Sequence, residues 1–261
     1  MRESVDTLAM LRRDLASIAG RERLPASQRI ATGHAALDQA LHGGLARGRV
    51  HELFAAEAED GPSAAGFAAM LALRASSQEH SVLWLRTDQA CRHGGRLYAP
   101  GLGELGGDPR TLILGTAPDA KTLLKSAADA ARCAGLKALV VECRGKCPEL
   151  GLTASRRLSL AAEHSGVTLF LLRLEAEPAP SAADTRWSVS AAPSRALEAD
   201  APGAPAFEIE LLRRRSGPAG MRWHVEWNRE RLAFIDPALS GAVVPVPAGR
   251  PAAPGQWRLS A

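Results

Sequence analysis

Three stretches of the sequence are apolar throughout: Val82-Leu83-Trp84-Leu85, Ala138-Leu139-Val140-Val141 and Leu169-Phe170-Leu171-Leu172. Strands with apolar side chains on both faces are typical of a parallel sheet that helices cover on both sides. Helical patterns fall between these strands, and the alternation predicts an α/β fold with right-handed crossovers. The predicted strands are Val50–Phe54, Val82–Arg86, Thr111–Leu114, Leu139–Glu142 and Val167–Leu172, and the predicted helices are Ala64–Ser77, Ala120–Ala134 and Thr153–His164.

Residues 1–24 precede this core, and their first 20 residues have the apolar period of an amphipathic helix. Such a helix either docks onto a neighbouring protein or folds back onto its own core. The apolar stripe consists of Val5, Leu8, Leu11, Leu15 and Ile18.

The predicted core spans residues 25–236. Within it, the Pro-rich stretch 175–206 predicts a mobile loop with some strand near Trp187–Ser190. Phe207–Leu212 and Met221–Asn228 alternate apolar and polar residues, which predicts a C-terminal antiparallel hairpin that extends the sheet. Residues 237–261 are again rich in proline and predict a flexible tail.

The composition narrows the functional classes. The chain carries 32 basic and 28 acidic residues, which is mildly basic and compatible with nucleic-acid binding. It lacks the apolar run of about 18–20 residues that a membrane span needs, and its start does not have the pattern of a secretion signal. The four cysteines predict reduced thiols of a cytoplasmic protein rather than a metal site: Cys91, Cys133, Cys143 and Cys147.

A glycine pair follows the first predicted strand at the spacing of a phosphate-binding loop. Such a loop wraps backbone N–H groups round phosphates, and its Lys and Ser/Thr side chains neutralise the phosphates and hold Mg²⁺. Gly61 and Gly66 have the G-x4-G spacing, but Phe67 and Ala68 stand at the Lys and Ser/Thr positions. This degenerate loop has lost its charge-assisted bonds to a nucleotide. The alternative interpretation is an ordinary strand-to-helix turn that contains glycine.

A longer motif precedes the glycine pair: Ile30-Ala31-Thr32-Gly33-His34-Ala35-Ala36-Leu37-Asp38-Gln39-Ala40-Leu41, then Gly43-Gly44-Leu45-Ala46-Arg47-Gly48-Arg49-Val50-His51-Glu52. This order resembles the start of the core of RecA-type recombinases. Within that group, the short chain, the missing lysine and a hairpin containing Leu211-Leu212-Arg213 and Trp223-x-Val225-Glu226-Trp227 resemble the ImuA family of inducible-mutagenesis accessory proteins. The resemblance covers about residues 5–236.

The resemblance implies a RecA-like domain and a non-enzymatic role in SOS-induced mutagenic translesion DNA synthesis. It implies an inactive Y-family-polymerase relative of the ImuB type as the direct partner, with an error-prone polymerase, the sliding clamp and RecA as further partners. The N-terminal stripe is then the partner-binding segment, and self-association is a second use for it. We expect no cofactor, and a cytoplasmic protein that works at the nucleoid after damage.

The positions that would hydrolyse ATP in a recombinase are altered here. By the resemblance, Glu142 stands at the second acidic motif and Asp88 at the acid that activates water, while Arg173 stands where a recombinase has a glutamine. Losing the lysine, the hydroxyl and the glutamine together leaves the charge of the transition state uncompensated, so we predict no ATPase activity. Two alternatives stay open: a divergent DNA-dependent ATPase and an inhibitor of recombinase filaments.

Two basic segments are candidates for weak binding of single-stranded DNA. Arg144 and Lys146 follow the Glu142 strand, where a recombinase has a DNA-facing loop. Arg and Trp side chains of the hairpin could contact phosphates and stack on bases, or the tryptophans could face the core instead. The hairpin candidates are Arg213, Arg214 and Arg215, beside Trp223 and Trp227.

Overall fold

The computed structural model describes residues 25–76, 81–194, 201 and 203–237. Its strands are β1 (Arg29–Ile30), β2 (Leu45–Ala46), β3 (Val50–Ala55), β4 (Ser81–Thr87), β5 (Leu112–Ala117), β6 (Leu136–Arg144), β7 (Thr168–Leu174), β8 (Thr185–Ala191), β9 (Ala206–Arg214), β10 (Met221–Asn228) and β11 (Ala233–Ile235). Its α-helices are α1 (Ala35–Ala40), α2 (Gly61–Ala75), α3 (Asp88–Gly94), α4 (Ala99–Glu104), α5 (Ala120–Ala130) and α6 (Leu152–Ser165). Short 3-10 helices span Ala26–Gln28, Ala58–Asp60 and Pro109–Thr111. The predicted N-terminal helix and C-terminal tail lie outside the described residues.

The central sheet has the strand order β11-β10-β9-β8-β3-β7-β6-β4-β5. The strands from β8 to β5 pair in parallel, and β9, β10 and β11 continue the sheet in antiparallel fashion. Strands β1 and β2 form a separate two-stranded sheet. The prediction of a mainly parallel sheet extended by a C-terminal hairpin is confirmed.

Helices cover both faces of the parallel strands, as the apolar runs predict. Helix α2 packs on β3, β6, β7 and β8, while α5 and α6 cover the opposite face. Val140 and Phe170 belong to the core on the α2 side, and Leu139 and Leu169 belong to the core on the other side. Each apolar strand therefore supplies two cores, because successive side chains point to opposite faces.

The strand predicted near Trp187–Ser190, within the Pro-rich stretch 175–206, is present. Strand β8 covers Thr185–Ala191, which is longer than predicted, and lies between β3 and β9. Trp187, at the centre of β8, is buried, and its indole N–H donates to Thr185 Oγ1 at 2.7 Å.

The carboxylate of Asp38 holds the motif at residues 30–44 together through hydrogen bonds. Asp38 Oδ1 accepts hydrogen bonds from the backbone N–H and the hydroxyl of Thr32, at 2.7 and 2.8 Å, and Asp38 Oδ2 accepts from the N–H of Gly33. The carbonyl of Thr32 in turn accepts from the N–H of Phe234 in β11. The motif thus fastens the start of the core to its last described strand.

Candidate functional site

The glycine pair lies in a helix rather than in a loop. Helix α2 begins at Gly61, whose φ and ψ of −50° and −49° are helical, and it includes Gly66. Proline occurs in its first turn, where a missing N–H costs nothing. Gly61 and Gly66 thus lie within one helix, a geometry closer to the strand-to-helix turn of the alternative interpretation than to a loop that wraps round phosphates.

Acidic side chains occupy the start of this helix. The backbone N–H groups of Ala191 and Glu57 donate to Asp60 Oδ1 and Oδ2, at 2.8 and 3.2 Å. The Glu57 carboxylate accepts in return from the N–H of Asp60, which completes a capping box. Negative charge at this position opposes a triphosphate.

Phe67 and Ala68 are part of the core. Phe67 is 2% exposed, and its ring centroid lies 5.6 Å from that of Phe207 and 5.0 Å from that of Phe234. Ala68 is completely buried. Phe67, at the position of the phosphate-loop lysine, thus joins α2 to β9 and β11.

Glu142 is held inside the protein by partners that sequence reasoning missed. It is 3% exposed; Arg86 Nη2 donates to its Oε1 at 2.7 Å, and Trp84 Nε1 donates to its Oε2 at 3.0 Å. Arg86 also donates to the carbonyls of Gly95 and Ala90, at 2.8 and 3.1 Å. Each oxygen of Glu142 therefore accepts a hydrogen bond from a side chain of β4, one from a guanidinium and one from an indole.

Asp88 lies at the first position of α3, where the Thr87 side chain accepts a hydrogen bond from the N–H of Ala90. An acidic residue in the first turn is favourable to the helix dipole. Asp88 thus has a structural role at the start of α3.

Arg173 is buried where a recombinase has its glutamine. Its guanidinium lies over the ring of Phe54, 5.8 Å from the centroid, and its Nε has no hydrogen-bond partner.

Two buried cysteines, Cys143 and Cys147, lie near Arg173. The hydrogen bond from the Cys143 thiol lowers the pKa of Cys147 to about 7. Burial opposes this lowering, and the positive charge of Arg173 adds to it. The same hydrogen bond, together with burial, raises the pKa of Cys143.

The basic candidates for DNA binding do not form one patch. Arg144 forms an ion pair with Glu175. Its Nη2 lies close to the start of α2, 3.9 Å from the position that a Cβ on Gly61 would occupy. Lys146, in contrast, is exposed. Arg213 donates to the carbonyls of Ser181 and Ala183, and Arg214 donates to the carbonyl of Ala40. Consecutive side chains at the end of β9 point to opposite faces, and so Arg213 and Arg215 share one cleft that Arg214 does not line.

The hairpin tryptophans face the core, which decides between the two interpretations of the sequence. Trp227 is 1% exposed, and its indole N–H donates to the carbonyl of Leu105 at 2.9 Å. The ring of Trp223 is half-buried and lies 6.0 Å from that of Trp187. The ring of Trp227 is therefore not accessible to a base, and Trp223 packs against the same core.

Two further features, a cluster of potential metal ligands and a helix that could span a membrane, are absent from the part of the chain that the structure describes. No cluster of three or more His, Cys, Asp or Glu side chains there is arranged to hold a metal ion. Over the same residues, none of the helices has the length and apolar character needed to cross a membrane.

The sheet order, the helices on both faces and the site at the carboxyl ends of β3 and β6 define a RecA-like α/β protein. The crystal structure of the RadB recombinase is similar in fold, with a TM-score of 0.54 and 15% identity over 80% of this chain and 100% of that chain. No protein-family model matches the sequence.

Curated sequences narrow this class to one family. Protein ImuA of Caulobacter vibrioides, from strains NA1000 / CB15N and ATCC 19089 / CIP 103742 / CB 15, is 34% identical over 194 residues, and the match covers 68% of this chain and 75% of the relative. This chain belongs to the ImuA family.

Proposed function

We propose that this protein is a non-enzymatic accessory factor in SOS-induced mutagenic translesion DNA synthesis and that it acts through protein contacts. The observation that carries the proposal is the packing of Phe67 between α2, β9 and β11, where a nucleotide-driven relative has a phosphate-binding lysine. The acidic side chains of Glu57 and Asp60 and the Arg86–Glu142 ion pair support it, because the former would repel phosphate and the latter already neutralises the Glu142 carboxylate.

The proposed direct partner is a polymerase-like protein of the ImuB type, and an error-prone polymerase, the sliding clamp and RecA are proposed members of the same assembly. Membership of the ImuA family supports this proposal. The proposal places the protein in the cytoplasm, at the nucleoid after damage.

Nucleotide binding tests the non-enzymatic part of the proposal. Isothermal titration calorimetry of the purified protein with millimolar ATP and Mg²⁺, with and without single-stranded DNA, is expected to detect no binding. A phosphate-release assay under the same conditions is expected to detect no hydrolysis. Saturable binding or DNA-stimulated hydrolysis would favour the alternative of a divergent DNA-dependent ATPase.

A helix-compatible substitution tests the biological part. A Cβ at Gly66 would meet only the Phe207 ring at 3.9 Å, an ordinary contact, and alanine suits a helix interior. A strain lacking the gene is expected to lose damage-induced mutation, and both the wild-type gene and Gly66→Ala are expected to restore it. If the deletion leaves induced mutation unchanged, the proposed role is wrong; if only Gly66→Ala fails, the glycine has a use beyond the helix.

A further inference from the structure

Helix α6 carries two leucines on its solvent side. Leu152 is 51% exposed and Leu160 is 63% exposed, whereas the buried face of the helix is made by other residues. Leu152, Arg156 and Leu160 follow one another at intervals of one helical turn and therefore share one stripe. Exposed leucines that share a stripe form an apolar surface of the kind that marks an interaction site.

This stripe borders a cleft of about 260 Å³ between α6 and the end of β9. The wall that α6 contributes holds Leu152, Arg156 and Leu160, and the opposite wall holds Arg213 and Arg215. Arg213 is fixed in position because its guanidinium donates to the carbonyls of Ser181 and Ala183. The α6 wall therefore combines leucine side chains with the charge of Arg156, and the opposite wall carries the charges of Arg213 and Arg215.

The cleft carries an excess of positive charge. Its one acidic lining residue, Glu163, pairs with Arg49 at 2.7 Å, so that carboxylate does not neutralise the cleft arginines. Among the residues that the structure describes, Arg156 and Arg215 form no ion pair. A second groove on the other side of α6 is also mainly basic, with Lys121, Lys125, Arg132 and Arg157 among its lining residues.

We propose that the cleft between α6 and β9 binds an acidic amphipathic segment of a partner protein. The leucines would pack against the apolar side chains of that segment, and Arg156, Arg213 and Arg215 would face its carboxylates. Leucine in place of an aromatic ring favours a peptide over a nucleic acid, because single strands are bound by stacking on aromatic rings. The basic groove across α6 extends the positive field and speeds encounter with an acidic partner.

The inference rests on the proposed function only for the identity of the partner, and the surface itself is argued from its own residues. A labelled synthetic peptide of about 20 residues, about 30 Å long as a helix, is therefore the first probe. It carries leucines at intervals of one turn and glutamates beside them. Its binding is followed by fluorescence anisotropy at low and high salt.

Two double variants are compared with matched controls of the same chemistry. Leu152→Ser with Leu160→Ser, and Arg156→Glu with Arg215→Glu, are each expected to weaken binding about tenfold or more. The controls are Leu114→Ser on the exposed edge strand β5 and Arg92→Glu with Arg96→Glu at α3, which lie outside the cleft and are expected to leave binding unchanged. A peptide with lysines in place of glutamates is expected to bind the charge-reversed variant better than the wild type. Circular dichroism confirms that each variant is folded.

Several results would overturn the inference. No binding of the peptide, or equal weakening by the control variants, would show that the cleft has no such preference. Loss of single-stranded DNA binding in the arginine variant but not in the leucine variant would assign the surface to nucleic acid. Loss of self-association in the leucine variant would assign it to a second copy of this chain.

The purified ImuB-type protein is then tested with the same variants. If it binds all of them equally, the inference about the cleft fails while the proposed function stands. If the peptide uses the cleft and the ImuB-type protein does not bind at all, the cleft stands and the proposed partner is wrong.

Discussion

Arg86 Nη2 lies 2.7 Å from Glu142 Oε1 inside the protein, with 7% and 3% of the two side chains exposed. The two residues are direct neighbours in the pairing of β4 with β6, although 56 positions separate them in the chain. The acid that in a recombinase would be directed to Mg²⁺ is instead one half of a buried ion pair. At this point of the sheet, the charge of the carboxylate is balanced by a guanidinium of the neighbouring strand.

Removing one member of this pair is expected to destabilise the fold strongly. Arg86→Met leaves the Glu142 carboxylate buried without its cation, and such changes cost about 3–5 kcal/mol. Urea unfolding followed by circular dichroism measures the loss. Arg110→Met is the control, because the Arg110–Asp108 pair is exposed and such pairs contribute about 0–1 kcal/mol. Equal losses in the two variants would mean that Glu142 has other support.

Restoring a lysine at the phosphate-loop position is not expected to restore nucleotide binding. Phe67→Lys places a charge among Phe207 and Phe234, and the loss of the aromatic contacts alone costs about 3–5 kcal/mol. Thermal unfolding is expected to shift to much lower temperature. Phe67→Leu, which keeps an apolar side chain, is expected to lose less. ATP-dependent stabilisation of Phe67→Lys would contradict the helical geometry of Gly61 and Gly66.

The sequence predicted the parallel sheet well because its decisive signal is local. Runs such as Val140 and Val141 between Leu139 and Glu142 are apolar on both faces, and this property is visible in one strand without knowledge of its neighbours. The same holds for the hairpin, where alternation over Met221–Asn228 fixed the strand to the residue.

The features that sequence analysis missed depend on residues far apart in the chain. The position of β8 beside β3 and the contact of Arg86 with Glu142 are set by strand order and register, which no single segment encodes. At Gly61 the motif spacing suggested a loop, but the alanine-rich residues after Pro62 favour a helix, and the capping box of Glu57 and Asp60 closes the 3-10 turn just before it. A spacing match cannot by itself distinguish these geometries.

Gly33 is expected to tolerate no side chain. Its φ is +95°, and a Cβ there would lie 2.5 Å from the Cβ of Ala233, so that Gly33→Ala must displace β11 in addition to adopting a strained backbone. Backbone strain of this kind costs about 1–3 kcal/mol before the clash is counted. Gly95→Ala is the control, because it has a positive φ of +69° but nothing within 4 Å. Urea unfolding should show the larger loss for Gly33→Ala, and the reverse order would mean that β11 moves freely.

The stability of the protein is expected to fall on acidification partly because of His51. Its ring is completely buried between Thr185 Oγ1 at 2.7 Å and the carbonyl of Ala46 at 2.9 Å. Burial lowers its pKa, an effect that the charge of Asp184 partly opposes. Above the ordinary histidine pKa of about 6.5 both states are neutral at this residue, and below it the unfolded chain gains a proton that the folded chain resists.

The free energy of unfolding should therefore decrease from pH 7 to pH 5, with a contribution from this residue of up to about 1.4 kcal/mol per pH unit. Urea unfolding across this range should show a smaller slope for His51→Gln, whatever its absolute stability, because glutamine does not titrate there. His164→Gln, at an exposed position near the end of α6, should keep the wild-type slope. If His51→Gln keeps that slope too, the histidine is protonated in the folded protein, and the carboxylate of Asp184 outweighs the effect of burial.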